Sequence, residues 1–422
     1  MTEPRMKPVD PTETSLPQSL PLGTGPLRGV VVLDITRVVA GPYCTMMLAD
    51  LGATVIKIEN PSDPDYVRGF PPFVGEGEAV ASAFFAQYNR HKLGVSLNLK
   101  SDGGKALLKK LVAKADLIVE NFRPGTMDKM GLGHAALLAV NPRLVYVSIS
   151  GFGQFGPNSR RPAYDNSAQS TGGLWSLNGE KNGPPLRVGT IIGDLSASFY
   201  AAIAALAALL HARSTGEGQL VDVAQQDSVM TLTEHAIVNY TVAGKIGAPL
   251  GNDHPFVRPY GQYACKDGFV FFGAYTDKFW AEACRLFGEP ALTQDPEIDS
   301  MDKRFKEEVY ERRVAPIVRR WCASRTKAEL EALAGDLIPL TPIKTIAEVV
   351  NDPHILARQM MVPVQFAGHE VQAFGTPMKL SKTPANAIGS APGFGEHNEA
   401  VLRGWLGVEQ GDYASLVKEG VI

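Results

Sequence analysis

One aspartate stands out because of the residues before it. Asp165 follows a glycine-rich stretch, Gly151 to Pro157, which comes directly after an apolar run. A carboxylate in such a place can attack an activated carbonyl carbon, and glycines let backbone N–H groups approach a reacting oxygen closely. Asp165 could instead cap a helix through Gln169, since aspartate is a strong N-cap residue. Both interpretations stay open on these residues alone.

Positive side chains form a second group of candidates. Arg37 follows an apolar run that ends at Ile35, and Arg123 follows a run that ends at Glu120. Arginine, lysine and helix N-termini suit phosphate groups. Each charge taken alone is better explained as a solvated surface residue. As a set at strand ends, these residues favour an anion-binding site.

Several motifs of other chemistries are absent from the chain. The segment Thr36 to Pro42 has one glycine where a dinucleotide-binding fold has G-x-G-x-x-G, which disfavours an NAD-dependent dehydrogenase. The eight histidines are scattered, and the four cysteines include no C-x-x-C pair. We therefore expect no metal site, no disulfide framework and no tightly bound cofactor, as fits a reducing cytoplasm.

Alternating strands and helices must position these candidates. Strands are expected at 30–35, 54–59, 116–120, 142–150 and 219–223, with helices at 36–52, 102–115 and 195–211. This alternation predicts an α/β fold with an open, Rossmann-like, doubly wound parallel sheet. Ligands of such sheets bind beyond the carboxyl ends of the strands, so the residues after Ile35, Glu120 and Ser150 are the first candidates.

Length and charge narrow the function further. The 422 residues include 41 Lys and Arg against 44 Asp and Glu, a net charge of −3 that argues against nucleic-acid or membrane partners. The longest apolar run, Phe199 to Leu210, is shorter than the roughly 20 residues of a membrane span. From 245 to 345 the composition changes, and Lys266-Asp267-Gly268 predicts a hairpin in a smaller α+β domain. A cytoplasmic enzyme is expected.

Long motifs then follow one another in a recognisable order. They are LDITRVVAGPYCTMMLADLGATVIKIENP, ADLIVENFRPGTMDKMGLG, NPRLVYVSISGFGQFGP, PAYDNSAQSTGGLWSLNGEKNGPPLRVG, STGEGQLVDVAQQDSV and GFGEHNEAVLRGWLG. Together they resemble the class III CoA-transferases, a family that contains formyl-CoA:oxalate, carnitine and dicarboxylate CoA-transferases and α-methylacyl-CoA racemases. The resemblance runs from Leu27 to the C-terminus and is weakest from 240 to 345.

The resemblance implies an architecture in which two identical chains interlock as a homodimer. The proline-rich start of the chain predicts a flexible arm at 1–22. The resemblance implies a large CoA-binding domain at 23–228, a small α+β domain at 229–344, and a return to the large domain at 345–422. The partners implied are acyl-CoA and small carboxylic acids, with CoA acting as a substrate.

The chemistry implied is CoA transfer between small, dicarboxylic acids through an aspartyl mixed anhydride and an aspartyl-CoA thioester. Several family members carry the catalytic aspartate in Gly-Glu-x-Asp-Gly-Pro-Pro, where this chain has Asn182. An amide cannot form the anhydride, which leaves Asp165 or Glu180. We take Asp165 as the predicted catalytic residue.

The resemblance places the family's CoA contacts on a set of residues, some of them just after predicted strands. They are Arg37, Ala40, Leu97, Lys100, Asn121, Phe122 and Lys129, and Arg123 lies beside them. Leu97 and Phe122 are expected to sandwich the adenine ring. In the small domain, His254 or Arg258 could recognise the distal carboxylate of a substrate, or simply support the hairpin.

Two other functions remain open. Racemases of the family read Gly-His-Asp where this chain has Ala163-Tyr164-Asp165, and their second acid corresponds to Asp194. A tyrosine with an ordinary pKa near 10 is a poor replacement for the histidine base, and Asp194 could equally be an N-cap. A non-catalytic CoA-binding protein is the third possibility.

Overall fold

The computed structural model describes residues 23–77 and 80–422. The predicted flexible arm at 1–22 lies outside the described residues. The strands are β1 Val31–Asp34, β2 Thr54–Glu59, β3 Phe73–Val74, β4 Ala81–Ser82, β5 Lys92–Ser96, β6 Leu117–Glu120, β7 Val145–Ser150, β8 Gln219–Ala224, β9 Gly261–Cys265, β10 Gly268–Phe272, β11 Leu340–Pro342, β12 Met361–Phe366, β13 His369–Phe374 and β14 Gly389–Ser390.

Helices alternate with these strands. The α-helices are α1 Ala40–Asp50, α2 Ala83–Asn89, α3 Asp102–Val112, α4 Thr126–Lys129, α5 His134–Leu138, α6 Asp165–Thr171, α7 Ile192–Thr215, α8 Gln225–Met230, α9 Ala236–Ala243, α10 Asp277–Phe287, α11 Met301–Arg304, α12 Glu307–Val309, α13 Ala315–Ala323, α14 Lys327–Ala334, α15 Ile346–Val350, α16 Pro353–Ala357 and α17 Gln410–Lys418. Two π-helical segments span Tyr310–Val314 and Glu399–Trp405.

A six-stranded sheet organises the first of two compact units. Its strands lie in the order β5-β2-β1-β6-β7-β8, and every neighbouring pair is parallel. Counted along the chain within this sheet, the order is the 3-2-1-4-5-6 of a Rossmann fold. The predicted α/β class with a parallel sheet is confirmed.

The two faces of the sheet bury two separate cores, because successive side chains of a strand point to opposite sides. Leu33 packs in one core with Leu108 and Leu111 of α3. Val32 packs in the other with Cys44 of α1 and Ala201 of α7. The sheet is therefore covered by helices on both faces.

Helix α7 illustrates why an apolar helix needs its surroundings to be interpreted. Within the part of the chain that the structure describes, it is the one helix long and apolar enough to cross a membrane by length and composition. Half of its most apolar window is buried, and its alanines pack in the core beneath the sheet. A core helix has the same composition.

The second compact unit comprises Trp175–Arg187 and Ala236–Asp352. Its antiparallel sheet has the order β11-β10-β9, and the predicted turn at Lys266-Asp267-Gly268 joins β9 to β10, with Cys265 opposite Gly268. Trp280, Phe272 and Trp321 are buried in its core. The predicted hairpin is therefore confirmed.

The first unit takes in the described residues up to Leu174, together with Val188–His235 and Pro353–Ile422. By its contacts, Trp175–Arg187 groups with the second compact unit. The strands β3 to β5 and β11 to β14 were not expected from the sequence. The domain limits inferred from the resemblance stay a prediction.

Candidate functional site

A cavity of about 340 Å³ lies at the carboxyl edge of the parallel sheet, within the first unit. The loops after β1 and β6 form part of its wall, and these adjacent strands are where the strand order reverses. Ligands of open α/β sheets bind at that point. The lining residues are Arg37–Ala40, Tyr66, Asn121–Pro124, Ile149–Gly151, Arg161, Ala163, Tyr164, Asp194 and Gln225.

Asn121 joins the two loops at this point. Its side-chain oxygen accepts a hydrogen bond from the Arg37 backbone N–H at 2.9 Å, and its Nδ2 donates to the Arg37 carbonyl at 2.8 Å. Because the amide side chain satisfies both backbone groups of one residue, it fixes the loop after β1 to the loop after β6. This is a structural role for a residue predicted to contact CoA.

Asp194, in the first turn of α7, contributes a carboxylate to the cavity. Gln225 Nε2 donates a hydrogen bond to its Oδ1. Burial raises the pKa of Asp194 to about 7, and the negative charge of Asp165 adds to this rise, whereas the Gln225 hydrogen bond opposes it. Near neutral pH, Asp194 is therefore more basic than an ordinary aspartate.

Asp165 occupies a different position from the one expected for a nucleophile. It is 6% exposed and does not line the cavity. Its Oδ1 accepts hydrogen bonds from the backbone N–H groups of Gly193 at 2.7 Å and Asp194 at 3.3 Å. Its Oδ2 accepts one from Gln169 Nε2 at 2.7 Å. Asp165 therefore satisfies the free N–H groups at the start of α7.

Gly193 allows this close approach. A Cβ atom at Gly193 would lie 2.9 Å from Asp165 Oδ1, closer than such atoms pack. The alternatives drawn from the sequence had each aspartate capping its own helix. Instead, Asp165 begins α6 but caps α7, and Asp194 leaves its carboxylate in the cavity. The Gly193-Asp194 pair at a predicted helix start was the available sequence signal for this residue.

The structure brings five of the eight predicted CoA contacts together and leaves three apart. Arg37, Ala40, Asn121, Phe122 and Arg123 line the cavity. Leu97 is completely buried in the apolar core, so its side chain offers no surface to an adenine ring. Lys100 and Lys129 are exposed and do not line this cavity.

Positive charge is concentrated around the cavity. Arg37 forms an ion pair of 2.9 Å with Asp63. Arg123 and Arg161 line the cavity, and neither has an ion-pair partner among the described residues. Guanidinium groups without a carboxylate partner are available to phosphates or carboxylates. Sequence reasoning missed Arg161, which lies in the loop between the glycine-rich stretch and Asp165, and Gln225, which directly follows β8.

Glu120 is a second buried carboxyl with a raised pKa, about 7, caused mainly by desolvation. Its oxygens accept hydrogen bonds from the Phe122 N–H at 2.7 Å and from the Ser148 hydroxyl. It lines a smaller neighbouring cavity of about 160 Å³ rather than the larger one. Its contacts indicate that it holds the start of the loop after β6.

Other sequence candidates lie in the second unit. Glu180 and Asn182 are exposed, and Asn182 has a positive φ of 63°. Arg258 NH1 donates to the Phe305 carbonyl at 3.4 Å, and its guanidinium lies 5.8 Å from the centre of the Tyr310 ring. Across the described ranges, no group of three or more His, Cys, Asp or Glu residues is arranged to hold a metal ion.

Comparison with known proteins identifies the family. CoA-transferase family III matches residues 27–398. The succinyl-CoA:mesaconate CoA-transferase of Haloarcula hispanica is 37% identical over 90% of this chain and 96% of its own. The succinate–glutarate CoA-transferase of Agrobacterium fabrum is 34% identical over 92% and 97%. A CAIB/BAIF family protein from Brucella suis has a crystal structure with a TM-score of 0.81 at 32% identity, covering 90% of this chain and all of that one. This chain therefore belongs to the class III CoA-transferase family and is a CoA-transferase.

Proposed function

We propose that this enzyme transfers CoA between small dicarboxylic acids and that Asp194 is the attacking carboxylate. One observation carries the choice of residue. Among the described residues that line the cavity, Asp194 is the only carboxylate. The raised pKa, about 7, makes its ionised form a better nucleophile than an ordinary aspartate.

The reaction needs two exchanges at Asp194. Its carboxylate attacks the thioester carbonyl carbon, the carbon–sulfur bond breaks, and CoA leaves as a thiolate from a mixed anhydride. The thiolate attacks the aspartyl carbonyl and releases the donor acid, which leaves an aspartyl-CoA thioester. The acceptor carboxylate attacks that thioester, which releases the CoA thiolate and leaves a second mixed anhydride. The thiolate then attacks the acceptor's carbonyl carbon in this anhydride, which forms the new acyl-CoA and frees Asp194.

Asp165 acts on this chemistry through Asp194. It holds the N–H groups of Gly193 and Asp194, which fixes the first turn of α7. Its negative charge also contributes to the raised pKa of Asp194. Asp165 remains the nucleophile predicted from the sequence, but the geometry favours Asp194 over it.

The substrate class follows from the charges of the cavity and from the relatives. Arg123 and Arg161 suit the anionic groups of CoA and of a dicarboxylic acid. The Haloarcula and Agrobacterium relatives are named for mesaconate, succinate and glutarate. A panel of acyl-CoA donors and dicarboxylate acceptors, with products identified by mass, tests the substrate class. Transfer only to monocarboxylic acids would contradict it.

Trapping the covalent intermediate tests the nucleophile. The enzyme is incubated with succinyl-CoA and then with hydroxylamine or borohydride, and peptides are mapped by mass. A modification at Asp194 is expected, and Asp165→Asn should still be labelled there. A modification at Asp165 or Glu180 would reassign the nucleophile.

A racemase is the second candidate, because a carboxyl pKa near 7 also suits proton exchange beside a thioester. Racemisation needs a base on each face of the carbon, and the cavity lining contains no histidine among the described residues. Exchange of the α-hydrogen of a 2-methylacyl-CoA in deuterium oxide, without an acceptor acid, would favour the racemase. Binding of CoA without either reaction would favour a non-catalytic protein.

We also propose that two chains interlock as a homodimer in the cytoplasm, without nucleic-acid or membrane partners and without a tightly bound cofactor. Exposed apolar residues on α7, among them Ile203 and Leu210, are available for contact with a second chain. Light scattering should give about twice the chain mass of 45.4 kDa. A monomer mass would contradict the dimer.

A further inference from the structure

The turn from residue 36 to residue 39 joins β1 to α1 and forms part of the cavity wall. Val38 in this turn has φ 69°, in the left-handed region. A β-branched residue rarely adopts that conformation, which is strained and persists only where surrounding contacts enforce it. Contacts from the surrounding protein must therefore hold Val38 in this conformation.

Two buried charged side chains hold it. The Val38 N–H lies 3.2 Å from each oxygen of the Asp65 carboxylate. Lys57 Nζ lies 3.2 Å from Asp65 Oδ2 and donates to the Thr36 carbonyl at 3.1 Å. Both charged side chains are 0% exposed. The pair therefore binds one backbone donor and one backbone acceptor of the same turn.

The neighbouring peptide groups of the turn are held in the same way. Asp34 Oδ1 accepts a hydrogen bond from the Thr36 N–H at 2.9 Å, and Asn121 pairs with both backbone groups of Arg37. Side chains from β1, from β2 and its following loop, and from the loop after β6 thus fix three successive residues. A turn without regular secondary structure is over-determined by its surroundings.

The energetics argue that this pair is not explained by stability alone. A buried ion pair loses its hydration, and apolar residues of similar volume are often as stabilising or more so. Apolar residues could not, however, satisfy the buried N–H and C=O groups of a strained turn. The ion pair is the arrangement that keeps this particular backbone conformation.

We infer that Lys57 and Asp65 are positioning residues, which hold Val38 in the left-handed conformation and so shape the wall that contacts the acyl-CoA. This inference rests on the proposed function, because it takes the cavity to be the acyl-CoA site.

The test measures the effect of Asp65→Asn in two backgrounds. In the wild type, we expect the KM for succinyl-CoA to rise roughly tenfold, the equivalent of a lost hydrogen bond to a charged group. In a Val38→Gly background, the same substitution should raise KM only about threefold, because glycine adopts positive φ without strain. Equal rises in both backgrounds would overturn the inference.

A matched control separates positioning from general stability. Asp50 and Arg90 form another buried ion pair, at 2.6 Å, which does not line the cavity. Asp50→Asn should lower Tm and leave KM unchanged. If it raises KM as much as Asp65→Asn does, the role of Asp65 is merely structural and the inference fails.

A readout that needs no substrate keeps the two proposals distinguishable. Amide hydrogen exchange of peptides covering 36–40 should quicken in Asp65→Asn and stay unchanged in Asp50→Asn; unchanged exchange in both would overturn the inference. If the wild type does not transfer CoA, the proposed function is overturned instead. If Asp65→Asn does not fold, the paired replacement Lys57→Met with Asp65→Leu removes both charges. Amide exchange at 36–40 should then quicken in the double variant, and unchanged exchange would overturn the inference.

Discussion

Asp34 and Asp194 are acids of the first unit, the former fully buried and the latter partly buried, yet their pKa values move in opposite directions. The pKa of Asp34 is well below its ordinary value, because the positive charges of Lys92 and Lys57 outweigh the effect of burial. The pKa of Asp194 rises to about 7, because burial is reinforced by the charge of Asp165. The same side chain thus has opposite acidity in two places of the first unit.

The difference comes from the partners. Lys92 Nζ lies 2.8 Å from Asp34 Oδ2, and Thr45 donates to the same oxygen at 2.7 Å. Asp194 has the neutral amide of Gln225 as its hydrogen-bond partner and no ion-pair partner in the described part of the chain. A cation-paired carboxylate is inert and serves the fold, whereas a carboxylate without a cation is kept basic and can react.

The largest expected effect concerns Asp194 itself. Asp194→Asn should reduce kcat for CoA transfer by about 10⁴-fold or more, as with other essential nucleophiles, since an amide cannot form the anhydride. Steady-state kinetics with succinyl-CoA and a dicarboxylate acceptor measure it. A variant that keeps a tenth of the wild-type rate would rule out Asp194 as nucleophile.

Asp34→Asn should instead damage the fold. Removing this carboxylate leaves Lys92 buried without its anion, and breaking a buried pair costs about 3–5 kcal/mol of unfolding free energy. Urea denaturation at pH 7 measures the loss. Stability equal to that of the wild type would show that the Asp34–Lys92 pair contributes nothing net.

The ionisation of Asp194 and that of Asp34 should also change the unfolding free energy with pH in opposite directions. Because the folded-state pKa of Asp194 is raised from 3.8 to about 7, its ionisation penalises the folded protein progressively between about pH 4 and pH 7. At pH 8 Asp194→Asn should be more stable than the wild type, by up to about 4 kcal/mol. At pH 4 the two should unfold alike, and an equal difference at both pH values would contradict the assignment.

Ionisation of Asp34 stabilises the folded protein, whereas ionisation of Asp194 destabilises it. The lowered pKa of Asp34 stabilises the folded protein above the ordinary value of 3.8, and this stabilisation is lost as the pH falls below that value. The wild type and Asp194→Asn share this acid loss, whereas Asp34→Asn should lack it. Denaturation series down to pH 2 separate the three proteins.

Asp165→Asn tests how the charge of Asp165 affects Asp194 at the start of α7. Removing the charge should lower the pKa of Asp194, so the acid limb of the kcat profile should move to lower pH while the enzyme stays active. The amide oxygen can still accept the Gly193 N–H. Complete loss of transfer in a folded Asp165→Asn would support Asp165 as the nucleophile instead.

The smallest expected effect concerns the arginines of the cavity. Arg123→Gln and Arg161→Gln should each raise the KM for acyl-CoA about tenfold, as for a lost hydrogen bond to a charged group, and leave kcat nearly unchanged. Arg143→Gln is the control, because Arg143 is exposed before the start of β7, at the other edge of the sheet. A KM unchanged in both cavity variants would remove these arginines from the binding site.

The strands with continuous apolar runs could be predicted well. β1 was expected at 30–35 and spans Val31–Asp34, since the valines and the leucine before Asp34 form the apolar run of a strand buried on both faces. β5 was missed because its sequence, Lys92-Leu93-Gly94-Val95-Ser96, contains a lysine and a glycine. Lys92 is buried there only because Asp34 of another strand pairs with it, and no local pattern reveals that.

The sequence by itself determined the parallel α/β fold, the hairpin of the second unit, the family, and the sheet edge at which the cavity lies. Those features follow from local periodicity, turn residues and motifs. Tertiary structure decided which aspartate faces the cavity and which lysine is buried. Capping and ion pairing join residues 28 and 58 positions apart, as in Asp165 with Gly193 and Asp34 with Lys92. The acidity of a carboxyl group depends on those distant partners and on burial, neither of which is written in its neighbours along the chain.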